Sequence, residues 1–275
     1  KRLRISSMVV GLTVVAYGTS TPELAASLTA VFNSHTDLIL GNIVGSNISN
    51  IGMVIGISAI IATGLVIDGK KRNGLGMRRR VVTKWLPIMI FVSFLMLLLS
   101  FDGEISQIDG AILVAGLIVF TIYIVKTAKK QIPVGDVIED EDPSGDMAIS
   151  RFKVNTTPRA IFAVVVGAVL LFMGGDLTVD GAVNVAEDLG ISELVIGVVI
   201  VAIGTSLPEL ITSVIAIRKK QMDIGIGNIV GSNIYNILLI GGISATLIGI
   251  PVSTDVFSNY YIMIAFSLVL FIGFR

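Results

Sequence analysis

GLTVVAYGTSTPEL occupies Gly11–Leu24, and GVVIVAIGTSLPEL occupies Gly197–Leu210. A second pair follows, GNIVGSNISN at Gly41–Asn50 and GNIVGSNIYN at Gly227–Asn236. Both matches stand at one offset, 186 residues, so the spacing between the motifs is kept without insertion or deletion. Chance does not do this twice, and an internal repeat decides the fold before any other feature is weighed.

The ground around the motifs is apolar. Leu38–Ile67 and Ile224–Thr254 contain no charged residue, and each exceeds the roughly 20 residues needed to cross a hydrocarbon core. Trp85–Phe101 and Ala160–Gly175 are shorter charge-free runs. The 275-residue chain is 53% hydrophobic and only 15% charged, well away from soluble norms. Such runs recur along the whole length, so a signal peptide does not explain them. Formal net charge is zero, which leaves no bulk electrostatic case for nucleic acid. Cysteine is absent, which excludes disulfides, thiolate metal sites and cysteine nucleophiles together. The composition predicts an all-α polytopic protein of the cell membrane, with the lipid bilayer as its surroundings and no cofactor.

Apolar runs between polar breaks give eight predicted spans, near 5–31, 38–66, 83–101, 107–126, 159–186, 192–217, 224–250 and 257–274. The Lys and Arg residues sort onto alternate connections. Lys1, Arg2 and Arg4 lead the chain, Lys70 to Lys84 follow the second span, Lys126 to Arg159 the fourth, and Arg218 to Lys220 the sixth. The remaining connections, around 35–37, 102–109, 187–193 and 251–258, hold no Lys or Arg. By the positive-inside rule this alternation predicts eight crossings, with the basic loops and the central linker cytoplasmic.

The repeat then acquires a direction. The connection at 33–37 falls outside and its repeat partner at 218–223 falls inside, so the two halves are inverted. Inverted halves with a site near the midplane are the architecture of many secondary transporters. The expected division is a first inverted repeat at 1–127, an acidic cytoplasmic linker at 128–157, and a second inverted repeat at 158–275. The offset further predicts a partner for the 159–186 span ahead of residue 1, and one for the 107–126 span beyond residue 275. The expectation is thus a piece of a protein with two five-helix halves, eight transmembrane helices present of ten.

Each half sets one carboxylate inside an apolar span, Glu23 and Glu209. Ionisable groups at such depth are expensive and ordinarily face a cavity, a partner or an ion. Pro22 and Pro208 stand directly before them and open the helix by removing an N–H, so that carbonyls near Ala16–Thr19 and Ala202–Thr205 are expected to turn towards a cavity. Thr19 and Thr205 precede their Glu by four residues, Ser20 and Ser206 by three, spacings that share a helix face where the helix persists. Ser46 with Asn50, and Ser232 with Asn236, repeat the four-residue logic in the second motif. Carboxylates, hydroxyls and amides without imidazole suit Ca2+ or Na+ and disfavour zinc or copper. Two carboxylates balance one divalent ion, and their repulsion once it has left favours protons or monovalent ions in its place. Asp176 and Asp180 read as a solvated helix end, the acids of the linker as a solvated tether, and His35 as an incidental loop residue.

GTSTPEL with GNIVGSNISN, and GTSLPEL with GNIVGSNIYN, resemble the two alpha-repeats of the sodium/calcium exchangers, a branch of the cation/Ca2+ exchanger superfamily. The resemblance implies Glu23 and Glu209 as principal Ca2+ ligands, helped by the carbonyls of Thr19 and Thr205. It implies that Ser20, Ser206, Ser46 and Ser232 help to hold Na+, with carbonyls from Ala16 and Ala202, and it places Asn50 and Asn236 at polar positions of the second motif. Potassium-dependent relatives carry Asp where this chain has Asn236, which argues against K+ co-transport. Ser46 and Ser232 stand where proton/Ca2+ exchangers usually have an acid, which favours Na+. The expected activity is that of a secondary active antiporter, not an enzyme, exchanging Na+ for Ca2+ by alternating access as a monomer. An H+/Ca2+ exchanger using the same glutamates and a passive cation channel are the alternatives.

Overall fold

Lipid cannot satisfy backbone N–H and C=O groups, so long apolar runs must close their hydrogen bonds within helices. The computed structural model describes residues 6–63, 66–67, 70–71, 75–77, 79, 81–130 and 157–274, and these are overwhelmingly helical. In chain order they form α1 (Ser7–Thr19), α2 (Thr21–Phe32), α3 (Thr36–Ala62), α4 (Val81–Leu99), α5 (Gln107–Lys130), α6 (Thr157–Leu189), α7 (Glu193–Arg218), α8 (Met222–Ile248) and α9 (Val256–Gly273). Among the described residues, six helices (α3, α4, α5, α7, α8 and α9) are long and apolar enough to cross a membrane. Most of the expected linker, residues 131–156, lies outside the described residues, as do Lys1, Arg2 and Arg4.

The all-α expectation meets two small exceptions. Val66–Ile67 (β1) pairs antiparallel with Lys70–Lys71 (β2) in the basic connection after α3. Glu104–Ile105 (β3) pairs with Ile250–Pro251 (β4), joining the turns that lead into α5 and α9. Both ribbons sit in connections, where backbone left unpaired by helices needs partners.

Burial sorts the helices into layers. In the most apolar stretch of α8, 94% of the residues are inside, against 22% for α5. Ile118, Val119 and Ile122 of α5, with Val269 and Ile272 of α9, present large apolar side chains outward. In water a belt of that kind would be a liability, whereas against acyl chains it is solvated by its own kind. In the centre, α3 packs on α7, and α8 packs on α1. Close approach is enforced at two glycines related by the repeat. A Cβ at Gly45 would lie 2.5 Å from the Val198 carbonyl oxygen, and one at Gly231 would lie 2.7 Å from Ala16 Cβ. Small residues that let backbones touch are the usual glue of membrane helices.

Wide π-type turns recur at matching places, Gly11–Val15 with Gly197–Val201 and Asn50–Val54 with Asn236–Gly241. An extra residue in a turn re-aims the side chains after it, and such bulges gather at functional sites. Apolar periodicity alone does not reveal them.

Candidate functional site

The helix carrying each GTS motif stops and restarts inside the bundle. Ser20 (φ −81°, ψ 8°) separates α1 from α2, and Ser206 (φ −79°, ψ 0°) interrupts α7 ahead of its second segment, Leu207–Arg218. The Ser20 N–H still reaches the Ala16 carbonyl at 3.0 Å and Leu24 N–H reaches Ser20 at 3.1 Å. Pro22 and Pro208 occupy the first turns of the restarted helices. Lacking an N–H, they leave the Gly18 and Gly204 carbonyls without the helical donor four residues on. The expected opening is therefore present, two residues ahead of each proline.

The break changes what the hydroxyls do. The expected sharing of a helix face between Ser20 and Glu23 requires a continuous helix, and Ser20 instead reaches across the bundle. Its Oγ donates to Glu209 Oε1 at 3.1 Å, and Ser232 Oγ lies 3.3 Å from the same oxygen. Ser232 Oγ also lies 3.5 Å from the Ala16 carbonyl. Thr205 Oγ1 is 3.5 Å from Ser46 Oγ. Residues from both repeats thus meet in one polar centre.

That centre is buried. Glu23 is 1% exposed and Glu209 0%, and Ser20, Ser46, Ser206, Ser232, Asn50, Asn236, Ala16, Ala202 and Thr205 are all buried. Thr19 is half-buried. Several of these atoms have no hydrogen-bond partner among the described residues: both carboxylate oxygens of Glu23, Glu209 Oε2, Ser206 Oγ, both amide atoms of Asn50 and Asn236 Oδ1. Buried polar atoms are ordinarily satisfied, and an orphaned carboxylate is especially costly. A cation among these oxygens would answer that cost directly. Among the described residues no group of three or more His, Cys, Asp or Glu side chains is arranged to hold a metal. The donor set is two acids diluted by neutral oxygens, which fits a weakly polarising ion that must also leave.

Four carboxamides at the core were not singled out from sequence. Asn42 and Asn228 bridge helices, and Asn47 Oδ1 accepts from Asn236 Nδ2 at 3.2 Å while Asn47 Nδ2 donates to the Asn233 carbonyl at 3.3 Å. Their signal was available: each repeats at the common offset within the most buried helices. His35 is also less incidental than its loop suggested, since its Nδ1 lies 2.9 Å from Glu193 Oε1 at the start of α7. Asp180 is exposed but stands nine residues before the end of α6 at Leu189, and the Asp176 side chain lies outside the described residues.

A helical bundle with a lipid-compatible exterior and a buried centre of two acids among neutral oxygens defines a class: a membrane transporter of cations. The chain matches the family described as sodium/calcium exchanger protein over residues 1–126 and 159–274. It is 32% identical to sodium/calcium exchanger MaX1 of Methanosarcina acetivorans, with 99% of this chain and 83% of that protein covered. It is 30% identical to inner membrane protein YrbG of Escherichia coli, with 96% and 77% covered. Its fold matches the sodium-calcium exchanger NCX_Mj soaked with 10 mM Na+ and zero Ca2+, at a TM-score of 0.64 and 29% identity, covering 98% of this chain and 80% of that one. The chain belongs to the sodium/calcium exchanger family, a family of multi-pass membrane transporters.

Proposed function

We propose that this chain is a secondary active antiporter that exchanges Na+ for Ca2+ by alternating access. Ca2+ is held by the carboxylates of Glu23 and Glu209, with carbonyls of Thr19 and Thr205. Na+ uses Ser20, Ser206, Ser46 and Ser232 with carbonyls of Ala16 and Ala202, and Asn50 and Asn236 complete the polar wall. The observation that carries this reading is that two buried acids, one from each motif, lie close enough to interact electrostatically, and that both carry oxygens without a hydrogen-bond partner among the described residues.

The exchange follows from charge. Two carboxylates neutralise one Ca2+, and without it they repel each other across a medium that screens poorly. Monovalent cations relieve that repulsion, so one ion type leaves as the other arrives. The two halves are inverted repeats that rock about the shared centre, with α1 and α2 together making one crossing and α6 another, eight in all. The basic connections face the cytoplasm.

The test is uptake of radiolabelled Ca2+ into liposomes holding the purified protein, with and without an outward Na+ gradient. Na+-driven uptake that is lost in Glu209→Gln is the expected result. Uptake driven only by protons would assign the H+/Ca2+ alternative, and uptake indifferent to both gradients would make the protein a channel.

A further inference from the structure

Asn42 and Asn228 occupy the second position of the GNIVGSN motifs in α3 and α8, and both are almost wholly buried. A carboxamide there must place two donors and an acceptor. Asn42 Nδ2 donates to the main-chain carbonyl of Glu23 at 3.0 Å and to Ser27 Oγ at 2.9 Å. A carbonyl oxygen only accepts, so the amide orientation is fixed and Oδ1 faces the other way. There it accepts from Thr205 Oγ1 at 3.2 Å and lies 3.4 Å from Ser46 Oγ. Asn228 repeats the pattern with the halves exchanged. Its Nδ2 donates to the Glu209 carbonyl at 3.4 Å and to Ser213 Oγ at 3.1 Å, and its Oδ1 accepts from Thr19 Oγ1 at 3.0 Å.

Each amide therefore holds the peptide of one glutamate and the threonine that stands four residues ahead of the other. Asn42 ties Glu23 to the turn that leads into Glu209, and Asn228 ties Glu209 to the turn that leads into Glu23. We propose that Asn42 and Asn228 are positioning residues, crossed ties that keep the two carboxylates converged when no ion lies between them. The inference rests on the reading of Glu23 and Glu209 as the ion-binding pair.

The physical need is specific. Bare carboxylates push apart, and a site that must be rebuilt at every binding event gives up affinity to reorganisation. A neutral amide supplies donor and acceptor at opposite ends without adding charge. An Asp in its place would lose the donors, and a Ser would not span the gap. Thr205 has one proton and can also turn it to the Val201 carbonyl at 3.0 Å or the Ala202 carbonyl at 3.3 Å. Losing Asn42 thus releases the tie without orphaning the hydroxyl, and the break is read as a change in positioning.

The experiment measures equilibrium binding of radiolabelled Ca2+ to the full chain in nanodiscs, beside melting temperature in Ca2+-free buffer. Asn42→Ala and Thr205→Val are each expected to weaken binding by about tenfold, the usual worth of one buried hydrogen bond. Combined, they should be no weaker than Asn42→Ala alone, because they cut the same tie. Asn42→Ala with Thr19→Val cuts both ties and should weaken binding by about a hundredfold. A general loss of stability would not produce this crossed dependence. Unchanged affinity in Asn42→Ala, or equal additivity in both pairings, overturns the proposal. Should Asn42→Ala fail to fold, unchanged affinity in Thr205→Val overturns it as well. Wild-type protein that binds no Ca2+ removes the functional reading and this one with it. Wild-type binding that Glu209→Gln abolishes and Asn42→Ala leaves intact removes this one only.

Discussion

At the residue scale, Glu23 and Glu209 repeat in sequence and differ in surroundings. Glu209 accepts from a Ser20 hydroxyl contributed by the other half, while among the described residues neither carboxylate oxygen of Glu23 has a partner at hydrogen-bond distance. Ser20→Ala should therefore act through Glu209 and weaken Ca2+ binding by about 1.5–3 kcal/mol, the range for hydrogen bonds to charged groups. The melting temperature in Ca2+-free buffer should fall with Ser20→Ala in the wild-type background and show a smaller further effect in the Glu209→Gln background, and equal losses in both backgrounds would contradict the pairing. Glu23 and Glu209 were legible because an ionisable side chain in an apolar span is conspicuous by its energy alone. Asn42 and Asn228 were not, because a carboxamide in a membrane helix announces only that it needs partners. Those partners stand up to 209 residues away in the chain.

At the element scale, the broken helices were readable from Pro22 and Pro208, but the exact point of interruption was not. Ser20 and Ser206 sit at the break because the proline ring and the missing N–H act on the residues before it. The consequence, a serine that crosses to the opposite half, depends on which helix lies alongside, and that is a tertiary fact. Helix crossing itself hangs on Gly45 and Gly231. Gly45→Ala sets a methyl against the Val198 carbonyl, and overpacking of this kind costs about 1–3 kcal/mol. A melting temperature lowered in Gly45→Ala is the expected outcome. A Cβ at Gly56, on the same helix, would meet no neighbouring element within 4 Å among the described residues. Gly56→Ala should be neutral or stabilising by roughly 0.5–1 kcal/mol, and equal destabilisation by both substitutions would mean that helix propensity, not contact, governs α3.

At the scale of the whole molecule, the helical membrane fold could be read from composition and the repeat, because apolar length and the basic alternation are properties of the chain alone. The small ribbon between Glu104–Ile105 and Ile250–Pro251 could not, since neither strand is long enough to carry a pattern. The inverted-repeat reading makes a topological prediction that the cysteine-free chain is suited to test. A single Ser253→Cys should react with a membrane-impermeant maleimide added outside intact cells. Ser144→Cys, in the acidic linker, should react only after permeabilisation. Labelling of both from one side would remove the inversion, and with it the reason for the halves to share a site at the midplane.

The central claim is that one pair of acids serves both ions in turn. Equilibrium binding of radiolabelled Ca2+ at increasing Na+ tests it most directly. Na+ should raise the apparent Ca2+ dissociation constant while the number of Ca2+ sites per chain stays the same. Na+ that leaves the dissociation constant unchanged would contradict it.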